Sequence, residues 1–289
     1  MSSIILVTGA TGTVGSATVA ALSAQGAKVR AGVHSLIKGE NLKRLPGVEL
    51  VEIDFARPAS LAVAFTGVST ALLITPFTQD QVAMAQQLTD AAQAAGVRHV
   101  VRLSASGAEA EPGIQLGQWH RQAEEYIKAK ELAYTLLRPT SFMQNFVHQQ
   151  ASSIKEQNAF YLPMGNGRVS YIDARNIGEV AAEILLRPEG HDGQAYTLTG
   201  PQALSGSEVA QIFSQVTGRT IAYQDVPEEA VRTVMQQQGL PDWMTESLLE
   251  LHAISRAGYA SGLTSDVQTV LGREPYTFQE FAETYKDCF

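Results

Sequence analysis

The chain has 289 residues, of which 45% are hydrophobic, 17% charged and 7% aromatic, enough apolar material for a sizeable core and too much for a disordered chain. Its 21 Lys and Arg stand against 29 Asp and Glu, a net charge of −8, which speaks against a nucleic acid or an anionic membrane as direct partner. The charge is uneven: residues 1–145 carry 12 basic and 11 acidic groups, and residues 146–289 carry 9 and 18, so a phosphate-bearing ligand is expected on the first half. One cysteine, Cys288, excludes an internal disulfide framework and a multi-cysteine metal site. No apolar run approaches the ~18–20 residues of a membrane-crossing helix. Met1-Ser2-Ser3-Ile4 leads into a strand-like run without a basic targeting segment, and a cytoplasmic protein is expected.

From the N-terminus, short β-branched runs alternate with helical stretches, the sign of a parallel sheet with covering helices. Strands are expected at residues 4–7, 29–33, 49–53, 71–75, 100–103 and 134–138, with helices at 14–24, 59–65, 81–95 and 119–130. Gly26, Gly67 and Gly96 stand where helices should stop. Six strands in this order suit a doubly wound α/β sheet of the Rossmann type. Beyond Arg138-Pro139 the rhythm changes, and short strands at 160–162, 194–198 and 220–224 interleave with longer helices. Two of these helices open on capping boxes, Ser205-Gly-Ser-Glu208 and Thr277-Phe-Gln-Glu280. Residues 227–259 read as helices broken at Gly239-Leu240-Pro241. The expected division is a dinucleotide-binding domain over residues 1–140 plus about 173–190, and a smaller, mostly helical α+β substrate lobe over 141–172 and 191–289.

The sharpest local signal is Val7-Thr8-Gly9-Ala10-Thr11-Gly12-Thr13-Val14-Gly15, a strand running through three evenly spaced glycines into a helix. Gly9 permits the tight turn, Gly12 lets backbone approach a pyrophosphate, and Gly15 lets helix and strand pack closely. The helix start then offers free amides and partial positive charge to the phosphates. In such folds the end of the second strand meets the adenosine ribose. Here it holds Val33-His34-Ser35, with Lys38 downstream and no Asp or Glu to accept from a free 2′-hydroxyl. NADP is therefore favoured, with NAD also open. Asp54, after the third strand, could accept from the adenine amino group, or could equally be a turn residue.

A Ser…Tyr-x-x-x-Lys set of the kind many reductases use has a superficial match in Ser104 or Ser106 with Tyr126 and Lys130. Ligands sit at the carboxyl ends of parallel strands, and Tyr126 and Lys130 fall at the far end of their helix, so they are set aside as surface residues. The near end holds Trp119-His120-Arg121-Gln122-Ala123-Glu124. Glu124, one turn from His120, is expected to orient the imidazole and favour its charged form, making His120 the candidate proton or hydrogen-bond donor. No metal site is expected, since the six histidines are scattered and no metal-ligand spacing occurs.

Taken together, Val7–Gly15, Leu73-Ile-Thr-Pro76, Ala94-Ala-Gly-Val-Arg-His-Val-Val101, Tyr134-Thr-Leu-Leu-Arg-Pro-Thr-Ser-Phe-Met-Gln-Asn145, Asp173-Ala-Arg-Asn-Ile-Gly178 and Tyr196-Thr-Leu-Thr-Gly200 resemble the NmrA-like branch of the atypical short-chain dehydrogenases/reductases over nearly the whole chain. Within that branch the sequence is similar to bacterial quinone reductases and triphenylmethane dye reductases that use NADPH and also carry histidine where His120 stands. The resemblance implies cofactor contacts from Gly9, Ala10, Thr11, Gly12, Thr13 and Val14, from His34, from Thr75, Pro76 and Phe77, and from Pro139, Thr140, Ser141 and Phe142. Ser35, Lys38, Asp54, Phe55 and Ser104 complete the expected cofactor set. His34 departs from the arginine usual in NADPH-dependent relatives, which leaves NADH in view. The resemblance implies hydride transfer to a quinone, azo compound or similar conjugated acceptor. The branch also contains non-catalytic NADP-binding redox regulators, and the wider superfamily biosynthetic ketone or double-bond reductases. An aromatic acceptor would need an apolar wall, for which Phe77, Trp119, Phe142, Met143, Trp243 and Met244 are candidates, with the break at 239–244 as a hinge. A homodimer is expected on base rates alone.

Overall fold

The computed structural model describes residues 4–289, so residues 1–3, on which the reading of the N-terminal segment rests, lie outside the described part. The four residues of β1 (Ile4–Val7) are buried from Ile5 onward, as a strand covered on both faces must be. In order follow α1 (Thr13–Ala24), β2 (Lys28–Val33), α2 (Leu36–Lys43), β3 (Val48–Glu52), α3 (Pro58–Phe65), β4 (Val68–Leu73), α4 (Gln81–Ala94), β5 (His99–Leu103), α5 (Gln115–Lys128) and β6 (Ala133–Pro139). Each expected strand and helix of this half is present to within a few residues. Helix α2 is an addition. Its sequence, Leu-Ile-Lys-Gly-Glu-Asn-Leu-Lys, has no apolar stripe, and Leu36 and Ile37 are exposed.

A π-helical turn at Phe146–Gln150 leads into α6 (Ala151–Gln157), then β7 (Ala159–Leu162), β8 (Arg168–Val169) and α7 (Ala174–Leu186). The chain continues through β9 (Gln194–Leu198), β10 (Leu204–Ser205), α8 (Gly206–Thr217), β11 (Ala222–Asp225), α9 (Glu228–Gln237), α10 (Asp242–Arg256), α11 (Asp266–Leu271) and α12 (Phe278–Thr284). Both expected capping boxes close, at Ser205/Glu208 and Thr277/Glu280. The helix break falls between α9 and α10.

The main sheet runs β3-β2-β1-β4-β5-β6-β9, every pair parallel. Strand order reverses between β1 and β4, which is the switch point where such sheets open a ligand crevice. The seventh strand comes from β9, a segment that the sequence reading places in the second lobe. Its exposed polar residues are those of an edge strand, and on that basis it cannot be told from a lobe strand in the sequence. One face of the sheet packs on α1, α7 and α11 through Val19, Leu22, Ile177, Val180 and Val267, and the other on α3, α4 and α5 through Phe65, Leu88 and Ile127. A separate core, in which Phe146, Phe160, Phe213 and Phe278 meet edge to face at centroid distances of 5.3–6.3 Å, holds the segment from the π turn to β7 together with α8 and α12. Among the described residues no helix is long and apolar enough to cross a membrane.

Helices α1 and α7 approach closely because Gly178 has no side chain: a Cβ there would lie 2.7 Å from the Ala17 carbonyl carbon. Overpacking of this kind costs about 1–3 kcal/mol. Gly178→Ala is expected to lower the thermal midpoint by several degrees, and an unchanged midpoint would show that the two helices part freely.

Candidate active site

The loop after β1 is pinned to the loop after β4 across the switch point. The Thr8 hydroxyl donates to the Ile74 carbonyl at 2.8 Å and accepts from the Ile74 N–H at 2.7 Å, while the Thr8 N–H donates to the Leu72 carbonyl at 3.0 Å. Gly9 turns with φ +59°, and a Cβ there would press on the Ile74 side chain at 3.1 Å. At Gly15 a Cβ would fall 2.2 Å from the Gly9 carbonyl oxygen, so α1 begins as near the strand end as it does only because residue 15 is glycine. Gly12 is the N-cap of α1, extended and with no side chain to satisfy the first-turn amides, and no acidic residue occupies that turn. Free amides at a helix start, on an open glycine cradle, fit a pyrophosphate. Gly9, Thr11 and Gly12 are exposed, whereas Ala10 and Val14 are buried and serve packing.

At the second-strand end His34 and Lys38 are exposed and Ser35 is half-buried. Asp54 lies near His34, but both carboxylate oxygens are already engaged: Oδ1 accepts from the Ala56 N–H at 3.0 Å and Oδ2 from Arg57 Nε at 2.7 Å. Those bonds hold its carboxyl below the usual range. The turn role read as its alternative is thus filled. Arg57, which also reaches Glu52 at 3.1 Å, puts a guanidinium beside this end of the site that the sequence reading did not single out.

Past β4, β5 and β6 the side chains are less free than expected. The Thr75 hydroxyl accepts from Arg102 Nη2 at 3.0 Å. The Ser104 hydroxyl donates to Glu124 Oε1 at 2.6 Å, and the Thr140 hydroxyl donates to the Ser170 carbonyl. Pro139 is buried, and Phe142 pairs through its backbone with Ile172. Phe55, Pro76 and Ser141 keep partly open surface, and Ser141 makes no side-chain hydrogen bond with another described residue.

The expected partnership of Glu124 with His120 is overturned. Glu124 is buried and spends its oxygens on Ser104 and on a two-pronged bond from Arg138, at 2.9 and 2.6 Å. The cation beside His120 is instead Arg102, fully buried on β5, donating to the Leu73 carbonyl at 3.2 Å and to Thr75. Burial, and then the Arg102 charge, push the imidazole down to about 3, so His120 is neutral and not charged. Its Nδ1 and Arg102 Nε are buried and unpartnered among the described residues. Tyr126 and Lys130 both bind Asp90 on α4, away from the strand ends.

Phe77, Trp119 and Trp243 meet edge to face, at centroid distances of 6.4, 5.2 and 6.0 Å, so the loop after β4 and the starts of α5 and α10 share one aromatic contact. Met143 is 1% exposed and belongs to the second core; it is a packing residue and not an open wall. Met244 is half-buried next to Trp243. Residues of the π turn and of α10 line a small half-open cleft of about 80 Å³, Ser141 and His252 among them. The sequence reading passed over His252, on an amphipathic helix with no motif around it, and His148, whose Nε2 lies 3.5 Å from the Thr13 hydroxyl of the glycine loop. Only the fold brings them near the site.

Burial also pushes His252 down to about 4. An unfolded imidazole takes its proton near pH 6.5, so below about 6.5 the unfolded chain binds more protons than the folded one and stability falls as the pH drops toward the folded values. Above about 6.5 neither group contributes a slope. His120→Gln and His252→Gln are each expected to flatten the loss of the urea midpoint between about pH 6.5 and 4; an undiminished loss in both would contradict the burial of neutral imidazoles.

Comparison with known proteins agrees with this geometry. The chain is 38% identical over 285 residues to an NAD(P)H azoreductase of Xenophilus azovorans, covering 99% of each. It is 26% identical to quinone oxidoreductase 2 of Escherichia coli, covering 92% of each. The crystal structure of Citrobacter sp. triphenylmethane reductase complexed with NADP(H) superposes with a TM-score of 0.86 at 29% identity, over 99% of this chain and 100% of that one. The NmrA-like family model matches residues 1–282, and the chain belongs to the NmrA-like family.

Proposed function

We propose that the protein is an NAD(P)H-dependent oxidoreductase that passes hydride to a quinone, azo compound or similar conjugated aromatic acceptor. The observation that carries this reading is the open glycine cradle at the start of α1, set at the switch point, with the Thr13 hydroxyl 3.5 Å from His148 on the π turn that lines a neighbouring cleft. The similarity to an azoreductase, a quinone oxidoreductase and a dye reductase supports it. NADP is favoured over NAD because His34, Lys38 and Arg57 are exposed around the second- and third-strand ends and no carboxylate follows β2. NAD remains the second cofactor this end would accept.

Bound NADPH would supply the hydride, two electrons and a proton, from its nicotinamide. Backbone amides along Gly9 to Val14 would hold the pyrophosphate, with His34, Ser35 and Lys38 at the adenosine end. Thr75, Pro76 and Phe77 on one side and Ser141 and Phe142 on the other would bracket the redox ring. Phe77, Trp119 and Trp243 would exclude water, which strengthens polar contacts inside. Neutral His120 would polarise the acceptor through a hydrogen bond, not protonate it as an imidazolium. The reduced acceptor would then draw its proton from water.

The domain division proposed on these grounds keeps residues 1–140 and 173–190 as the dinucleotide unit, adds β9 and α11 to it, and leaves the rest as the acceptor lobe. A cytoplasmic setting fits the single cysteine. Dimerisation rests on the base rate of small enzymes.

Steady-state oxidation of NADPH with a panel of quinones and azo dyes tests the reading, and failure with every acceptor would defeat it. His120→Ala is expected to lower kcat at least about tenfold with KM for NADPH unchanged. Because the imidazole is neutral, the native kcat profile should show no inflection from it between about pH 5 and 8. Unchanged turnover in the variant would remove His120 from the reaction.

A further inference from the structure

Arg102 is fully buried, yet its guanidinium bonds only neutral oxygens, the Leu73 carbonyl and the Thr75 hydroxyl. The carboxylate that acts on it, Glu124, is taken by Ser104 and Arg138, and Arg138 also pairs with Glu109 at 3.2 Å. A positive charge is therefore left over behind the strand ends, a costly feature that a hydrophobic side chain would avoid. The register places it. Leu73 pairs with Arg102, so Thr75, which holds the guanidinium, stands level with Ser104. The Ser104 hydroxyl reaches Glu124 on α5, and His120 lies one helical turn from Glu124, toward the start of α5 and the strand ends. Two atoms in this layer are sealed from solvent and lack a partner among the described residues: Arg102 Nε and His120 Nδ1. The other imidazole nitrogen, Nε2, is not sealed in this way, so it is the open side of a half-buried ring.

We infer that Arg102 is a positioning residue that fixes His120 as its Nε2–H tautomer, so that the imidazole meets the acceptor as a hydrogen-bond donor. The tautomer is a property of the chain itself; its use on an acceptor rests on the oxidoreductase reading above. A guanidinium has five N–H groups and no acceptor. An N–H on the sealed Nδ1 would aim a second donor into a layer whose spare charge is positive and whose Glu124 oxygens are engaged. A bare Nδ1 instead turns the negative end of the ring's dipole toward the cation, an attraction that water does not screen here. The surroundings of one ring nitrogen then decide that the proton sits on the other. Burial, and then the same cation, keep a second proton off the ring at neutral pH. On the open side Nε2–H would donate to a carbonyl oxygen or azo nitrogen, whereas the opposite tautomer would present a lone pair and repel it.

The test is nitrogen-15 NMR of the full chain labelled at histidine, without cofactor or acceptor, with the His120 signals assigned by their loss in His120→Gln. The native ring is expected to carry its proton on Nε2 alone and to hold that state between about pH 8 and 5. Arg102→Met, which removes the charge, should give a mixture of both tautomers and let the ring take a second proton at higher pH than in the native chain. Arg102→Lys keeps a buried, donor-only cation and should retain Nε2–H. With NADPH and a quinone, kcat should fall about fivefold or more in Arg102→Met and recover in Arg102→Lys. A native His120 protonated on Nδ1, or an Nε2–H state untouched by Arg102→Met, overturns the inference and leaves hydride transfer in place. Should the methionine variant fail to fold, loss of Nε2–H in Arg102→Lys overturns it equally. NADPH oxidation with no acceptor defeats the oxidoreductase reading and leaves the tautomer result standing.

Discussion

The contact on which the rest depends is the approach of the first turn of α1 to the end of β1. With 2.2 Å between a notional Gly15 Cβ and the Gly9 oxygen, no other residue allows it, and the helix amides would otherwise stand too far from the crevice to grip a diphosphate. Thr8 fixes the direction of that grip. By bonding Ile74 through its hydroxyl both as donor and as acceptor, it ties the phosphate end of the site to the loop carrying Thr75, Pro76 and Phe77. In the proposed reading, phosphate binding and the setting of the redox ring would thereby be one rigid unit and not two adjacent ones.

Around that unit the second lobe supplies shape and neutrality. Its separate aromatic core holds the π turn, through Phe146, against β7 and α8. Two charged groups lie behind the strand ends, and their side chains are largely taken up within the protein. Glu124 is taken up by Arg138 and Ser104, while Arg102 bonds Leu73 and Thr75 and keeps its buried Nε without a partner among the described residues. What remains open to a ligand is uncharged: Ser141, Asn145 and His252, with His120 kept neutral by burial and by Arg102.

Much of this is legible in the sequence where the physics is local. The glycine spacing, the six strands and the capping boxes are each set by a few neighbouring residues, and each is found in place. What is not legible is decided by long-range packing. Helix α2 has no apolar stripe to announce it. Strand β9 looks like a lobe strand because its paired residues in β6 lie 59 positions earlier in the chain. The pairing expected for His120 with Glu124 follows from helical spacing, yet Arg138, arriving from β6, takes the carboxylate. Met143 reads as a wall and packs as core. His252 and Asn145 have no motif about them and come to line one cleft only in the folded chain.

The central claim is that the α1 amides hold a pyridine dinucleotide, and calorimetric titration of the purified protein with NADPH tests it most directly. Saturable binding of one dinucleotide per chain, competed by NADP and abolished by Gly12→Val in a protein that still melts cooperatively, is the predicted result. The absence of any binding heat with both NADPH and NADH, in protein shown to be folded, would contradict the account.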